Sequence, residues 1–417
     1  MKKNVMAVFG YNNTRLYDVL KIRELVSTRL GAELLLVKEG ITDADLAVTP
    51  YCLDYRPEDP GVAYALETYL DENGLNLRGC LPFSDKGVVG GAYAAAHFGL
   101  FGDDCASAPA MLDKSLFRKL ERGITVDSEV YKKPFFEVVH GESELRRVWE
   151  EKGAFFIKPT SEGNSRGCMK IADSTDLDRW LVENPSALAG GVICEELLSL
   201  DEEYSFDGVD GLYWITKKFT TTGAYRAEYQ HIIPAPFAEE RKAGIHRVLE
   251  PVLRALGTNG GAFHHEFFLL PDGRVASVEP NRRPAGMWLW DLAEYAFPAF
   301  SPWTRWIDRC AGLQVSPVDL VANGHVGVRG VISDRTGTLT SLRKEAIEAT
   351  LSREFGDRLL RISFLKADGS AVRAEARDNA DFLGFVAIRN TSYDGLLRDL
   401  ERAEKIFLAE MEVSPCA

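Results

Sequence analysis

No two cysteines in this 417-residue chain are spaced as C-x-x-C, although there are seven of them: Cys52, Cys80, Cys105, Cys168, Cys194, Cys310 and Cys416. They are dispersed and odd in number, which excludes both a disulfide framework and a structural zinc site. Long hydrophobic runs are missing too. Nothing approaches the roughly 18 apolar residues of a membrane span. The opening MKKNVMAVFGYNN has an apolar stretch of only about five residues, too short for a signal peptide. A cytoplasmic protein is expected. Positive charge is in deficit, with 49 Lys and Arg against 62 Asp and Glu and a formal net charge of −13. That argues against unguided attraction to nucleic acid or an anionic membrane, and any anionic ligand has to be drawn by local cations. Glycine is scarce where a dinucleotide site would need it: the turn Gly10-Tyr11-Asn12-Asn13 carries one, not the three-glycine fingerprint. Low-complexity tracts and short repeats are absent, so a folded chain is expected, long enough for two or three compact units with a cleft between them.

What is present organises itself into three parts. Residues 4–9, 17–30, 33–37 and 45–48 alternate short apolar strands with helical stretches, and the pattern continues with a helix over 62–73, a strand over 80–83 and a helix over 87–98. Such alternation predicts a parallel α/β sheet in a first unit, residues 1–111. After the break at Ala106-Ser107-Ala108-Pro109, Asp113 is placed to cap a helix running to about Arg122. A central α+β unit, 112–312, follows, with strand-like runs at 154–157, 192–195 and 204–209. A smaller α+β unit, 313–417, closes the chain. It contains strands near 327–332, 361–365 and 384–388, a turn at Arg335-Thr336-Gly337-Thr338, an Asp368-Gly369 hairpin signal and a final helix over 393–411.

Two segments carry chemistry on their own residues. In Phe155-Phe156-Ile157-Lys158-Pro159-Thr160-Ser161-Glu162-Gly163-Asn164-Ser165-Arg166-Gly167 a lysine ends an apolar strand and a small-residue loop follows. Lysine offers a point charge to phosphate, and backbone N–H groups and hydroxyls of such a loop can fold over it. In the second segment, Phe263-His264-His265-Glu266-Phe267-Phe268 is followed, after Pro271-Asp272-Gly273, by Val275-Ala276-Ser277-Val278-Glu279-Pro280-Asn281-Arg282-Arg283-Pro284. A hairpin with period-two alternation brings Glu266, Glu279 and Asn281 to one face. These are hard oxygen ligands of the kind magnesium prefers beside a nucleotide. His264 and His265 lack the further ligands of a zinc site and are read as supports for that strand.

In order along the chain, Lys114, the Lys158 loop, Val192-Ile193-Cys194-Glu195-Glu196-Leu197-Leu198, Glu203-Tyr204-Ser205 and the Glu266/Glu279/Asn281/Arg283 hairpin resemble the motifs of the ATP-grasp superfamily over residues 112–286. Within it the chain is most similar to the L-amino-acid ligases. The resemblance implies an ATP-grasp fold with a Rossmann-like N-terminal domain. Lys114 and Lys158 would contact ATP phosphates, and Ser165 with its loop would close over the transferable one. The strand 192–198 would lie beneath adenine, with groups near Glu195, Glu196 and Leu197 reading the base and Glu203 accepting the ribose hydroxyls. Glu266 and Glu279, assisted by Asn281, would hold two magnesium ions, with manganese able to substitute.

By the same resemblance Arg283 would neutralise an acyl phosphate and the tetrahedral intermediate, where a fixed planar cation has most effect. Arg282 points to the opposite side of an extended segment, toward an ion pair. Glu228 and His231 match a Glu and His that help bind amino acids in these ligases, and the sequence leaves a structural role for them equally open. Gly286 and Trp288 follow the Arg283 loop as substrate-site candidates. Trp288 and Trp290 read either as pocket wall or as core. The expected activity is ATP-dependent joining of two amino acids with release of ADP and phosphate. The alternatives are another carboxylate or amine, or a nucleotide-binding regulatory protein without turnover. Small molecules are the expected partners, nucleic acid and membrane are not, and a homodimer is the default assembly.

Overall fold

The computed structural model describes residues 2–11, 15–161, 166–198, 202–257 and 260–415. The first strand, Lys3–Phe9, is apolar on both faces and entirely buried from Val5 onward, as a strand covered by helices on both sides must be. It pairs in parallel with Glu33–Lys38 and Leu75–Pro82, and Cys52–Asp54 completes a four-stranded sheet in the order 52–54, 33–38, 3–9, 75–82. Helices Leu16–Leu30, Asp43–Val48 and Val62–Glu72 connect these strands, and Asp85–His97 follows the last of them. The parallel α/β reading of this part is borne out. Helix Asp85–His97 approaches the end of the first strand so closely that a Cβ on Gly87 would lie 2.1 Å from the Phe9 carbonyl oxygen. Glycine there permits the contact that fixes Asp85 beside the site described below.

Asp113 caps helix Lys114–Gly123 as expected, its carboxylate accepting from the Ser115 and Leu116 backbone N–H groups. Beyond it lie two antiparallel sheets. The smaller has four strands in the order Phe136–Val139, Val192–Glu196, Phe155–Pro159, Met169–Ile171. The larger has eight, in the order Val275–Asn281, Phe263–Leu269, Glu202–Val209, Leu212–Thr220, Glu228–Ile233, His325–Val331, Gly384–Asn390, Leu359–Phe364. The large sheet runs on past residue 312 without interruption. Trp290 is wholly buried and meets Trp303 and Trp306 edge-on, a core position and not a pocket wall.

A three-stranded sheet of Ala371–Val372, Gly337–Leu342 and Met411–Ser414 lies at the end of the chain. The Asp368-Gly369 turn is present but does not join a hairpin. The Asp368 carboxylate accepts from Leu342 N at 2.9 Å and Gly369 N donates to Leu339 O at 2.7 Å. The turn is therefore held by strand Gly337–Leu342, and the strands before and after it belong to different sheets. Among the described residues no helix is long and apolar enough to cross a membrane.

Candidate active site

The hairpin of strands Phe263–Leu269 and Val275–Asn281 turns at Pro271-Asp272-Gly273, with Gly273 at φ +87°. Its register sets Glu266 opposite Glu279 and His264 opposite Asn281. Both carboxylates and the amide therefore share one face, as the alternation implied. The Asn281 side-chain oxygen is buried and has no partner among the described residues.

That face looks onto Lys218, a residue the sequence did not single out. Lys218 stands in strand Leu212–Thr220, paired with Glu203 on one side and His231 on the other. Its ammonium has no exposure and lies 3.0 Å from Glu203, 2.8 Å from Glu228 and 2.9 Å from Glu266. Three glutamates for which the family resemblance implies ribose, amino-acid and metal roles thus converge on one lysine. Their oxygens lie within 4.8 Å of one another, a spacing that can hold a cation. Burial opposes the charge on Lys218, but Glu228, Glu266 and Glu203 outweigh it and hold its pKa well above the ordinary range. Burial would raise Glu266, yet Lys218 and His264 keep it well below the usual carboxylate range. Glu203 is pushed up by burial and by Glu228 and Glu266 against the pull of Lys218. His231 Nε2 is 3.4 Å from Glu228, and its Nδ1 is buried without a partner among the described residues.

His264 bridges Asp207, at 2.5 Å from Nδ1, and Glu266, at 3.1 Å from Nε2. Asp207 is itself fixed by the hydroxyls of Ser205 and Thr216. Burial works against a charged imidazole here, but the two carboxylates raise its pKa to about 9, so His264 is a cation that orients Glu266. His265 faces the other side, donating or accepting at Ser277 Oγ at 2.8 Å, and burial pulls its pKa down to about 3. The two histidines support the hairpin, as the sequence suggested, by opposite means.

Lys114, the first residue of its helix, reaches Glu279 at 3.4 Å, and its backbone N–H donates to Thr160 O at 2.9 Å. This second bond docks the helix start on the end of the Lys158 strand and brings the two lysines to one place. Lys158 pairs with Glu195 at 2.6 Å. Ser165 lies outside the described residues. Burial would raise Glu195, but Arg118 and Lys158 lower its pKa to about 2. The Glu196 carboxylate accepts from Phe135 N and pairs with Lys132 at 2.8 Å. The Glu195 side chain is committed inside the protein and that of Glu196, half-exposed, to Phe135 and Lys132, and Leu197 follows the end of the strand.

Arg283 pairs with Asp85, Nε at 2.7 Å and Nη2 at 3.3 Å. Arg282 turns the other way, as expected, and pairs with Asp103. Arg15 fastens the loop between them and the next helix by donating to the carbonyls of Pro284 and Ala285. A Cβ on Gly286 would meet nothing within 4 Å. Met287 and Trp288 then take the left-handed conformation, φ +49° and +61°. For non-glycine residues this costs about 1–3 kcal/mol each and is tolerated where the surroundings impose it. Trp288 is held by Phe385 edge-on and by the Arg361 guanidinium 4.2 Å above its ring.

The small antiparallel sheet with Lys158 near a strand end, the large one bearing the opposed carboxylates and the parallel α/β sheet that precedes them in the chain make up an ATP-grasp fold. Solved structures that resemble it include an L-amino acid ligase, a synthetase and a carboxylase domain. The L-amino acid ligase from Bacillus licheniformis superposes with a TM-score of 0.75 at 16% identity, over 100% of both chains. N5-carboxyaminoimidazole synthetase from Staphylococcus aureus, complexed with ADP, gives 0.66 at 12% identity over 97% of this chain and 98% of that one. The biotin carboxylase domain of Hydrogenobacter thermophilus 2-oxoglutarate carboxylase, complexed with MgADP and bicarbonate, gives 0.63 at 13% identity over 99% and 91%. No family model matches the sequence, and no curated protein sequence does.

Proposed function

We propose that the chain is an ATP-dependent carboxylate–amine ligase that joins two amino acids. The observation that carries this reading is the grouping of Glu266, Glu279, Asn281 and Lys114 on one face of the hairpin, with the Arg283–Asp85 pair close enough to feel their charges. Binding of a nucleotide alone requires no second carboxylate and no buried arginine beside it. Opposed glutamates and an unpartnered buried amide oxygen are a donor set that fits magnesium, two ions by the family resemblance, with manganese as a substitute. The metal would supply charge neutralisation between the nucleotide's phosphates and these carboxylates.

This chain's own residues do the rest. Lys114 and Lys158 neutralise the triphosphate, the family resemblance assigns Ser165 to the transferable phosphate, and Leu197 and Glu203 are on the adenosine side. A carboxylate oxygen of the first amino acid attacks the terminal phosphorus and ADP leaves. Arg283 holds the charge that develops on the acyl phosphate. The amine of the second amino acid attacks the acyl carbon, inorganic phosphate leaves, and the amine loses a proton to form the amide. Glu228 and His231 supply a carboxylate for an ammonium group and, beside it, an imidazole whose buried Nδ1 has no partner among the described residues. Gly286 leaves open space where a side chain would stand. The likeness to an L-amino acid ligase supports a dipeptide product. The likeness to a synthetase and a carboxylase domain of other names keeps a second reading, the same activation chemistry with a different acid or nucleophile.

The test is a screen of amino-acid pairs with ATP and magnesium that records phosphate release and product mass together. The expected result is ADP, phosphate and a product lighter than the two acids by one water. Appearance of AMP and pyrophosphate, or nucleotide binding with no turnover on any acid and amine, would remove the reading.

A further inference from the structure

On the face of the hairpin turned away from the carboxylates, a run of buried polar side chains connects the two sheets. It starts at His265 Nε2, 2.8 Å from Ser277 Oγ, and continues through the Tyr131 hydroxyl, 2.6 Å from that same oxygen. The Tyr131 hydroxyl also meets the Glu121 carboxylate in a short hydrogen bond. Glu121 accepts from Arg118 Nη1 at 2.8 Å, Arg118 Nε donates to Glu195 at 2.6 Å, and the other Glu195 oxygen receives Lys158 Nζ at 2.6 Å. Each of these residues is at least nine-tenths buried.

The donor inventory allows the run only one direction. A Glu121 carboxylate only accepts, so the Tyr131 O–H is spent on it and the phenolic oxygen must accept from Ser277. The Ser277 hydroxyl, having given its proton to Tyr131, must accept from His265 Nε2–H. The buried His265 Nδ1 has no partner among the described residues, which agrees with a ring carrying its proton on Nε2. From the far end, Arg118 and Lys158 both donate to Glu195. Every proton has one place to go, and such chains polarise their members cooperatively. The backbone runs in parallel: Lys132 N donates to Val275 O and Val275 N to Val130 O, while Phe136–Val139, a few residues on, pairs with Val192–Glu196 of the small sheet.

We propose that Tyr131 and Glu121 are positioning residues, and that this chain sets where Lys158 on the small sheet stands relative to the hairpin bearing Glu266 and Glu279 on the large one. Its consequence for nucleotide binding rests on the ligase reading above; the chain itself does not.

The experiment is a brief pulse of amine acylation on full-length protein with quantification by mass spectrometry, comparing the parent with Tyr131→Phe and with Ser277→Ala. Lys217 serves as the reference. It lies on the large sheet with the same low exposure as the Lys158 side chain, pairs with Glu202, and is not part of the chain. Lys158 is expected to react about five- to tenfold faster in both variants, the scale of one lost hydrogen bond, with Lys217 unchanged. The same variants should bind MgADP several-fold more weakly. Lys158 reacting at the parental rate in a folded variant, or Lys158 and Lys217 accelerating together, would reduce Tyr131 to core packing and overturn the proposal. Should Tyr131→Phe not fold, Ser277→Ala decides alone. A parent that binds no MgADP would instead sink the ligase reading, and the acylation rates would still decide the chain.

Discussion

Arg283 and Asp85 are 198 residues apart in sequence and form a two-pronged ion pair. The arginine on which the proposed ligase chemistry would draw most is thus oriented from outside the large sheet, by the first residue of helix Asp85–His97. Asp85→Asn should lower kcat by about tenfold while leaving ATP affinity near the parental value, the order expected when one charged partner of an oriented cation is lost. Arg283→Lys should cost about 100-fold or more, because an ammonium cannot replace the planar fork. Steady-state kinetics with the best amino-acid pair check both. An Asp85→Asn enzyme with parental kcat would mean that Arg283 is oriented by something else.

Glu279 faces Glu266 directly across the hairpin, and burial with Glu266 and Asp85 nearby holds its pKa up in spite of Lys114 and Lys158. Glu279→Gln keeps the volume and relieves a like-charge contact. The variant should melt no lower than the parent, yet lose nearly all turnover and require more magnesium. Parental activity at limiting magnesium would take Glu279 out of the metal site.

Glu195 and His264 make stability depend on pH in opposite directions. Glu195 titrates at about 2 in the folded protein, below its ordinary 4.5, so its contribution is complete above about 4.5 and disappears as pH falls toward 2. By linkage that contribution is on the order of 3 kcal/mol. His264 titrates at about 9, above its ordinary 6.5, so its contribution is complete below about 6.5 and is lost as pH rises through 9. Denaturant unfolding across pH should show a plateau between about 5 and 6.5 with decline on both sides. Glu195→Gln should flatten the acid side, and His264→Gln the alkaline side.

Much of this site was legible in the sequence, for local reasons. The Pro-Asp-Gly turn and the alternation around it sufficed to place Glu266, Glu279 and Asn281 on one face, and Asp113 announced its helix because capping involves only the next few residues. Lys218 was not legible. Its three partners come from strands at 203, 228 and 266, and only the order of the large sheet brings them together. The single hint was a lysine in an otherwise buried strand. The Asp368-Gly369 signal misled for the converse reason: the dipeptide favours a turn but says nothing about which strand will bond it.

Gly286 has an ordinary backbone conformation and open space where a side chain would go. Gly286→Leu should fold like the parent, keep its ATP requirement, and raise KM at least tenfold for the bulkier amino acids only. An equal rise for all substrates would place this space outside the amino-acid site.

Glu228→Gln and His231→Ala should raise the amino-acid concentration required, or cut the rate, and leave nucleotide affinity nearly intact, tested by titrating each variant separately with ATP and with the best amino-acid pair. Loss of ATP affinity alone would move this strand to the nucleotide side of the cleft.

The continuity of the large sheet also orders events in time. Strand Glu228–Ile233, which carries Glu228 and His231, gains its second neighbour only from His325–Val331. During synthesis it must wait for about a hundred further residues to emerge, with one row of backbone donors and acceptors unmet. A chain released near residue 312 would keep that edge open and tend to associate through it. The closing hundred residues are therefore the rib that completes the sheet around Glu228 and His231, and that strand is a part of the protein that matures late.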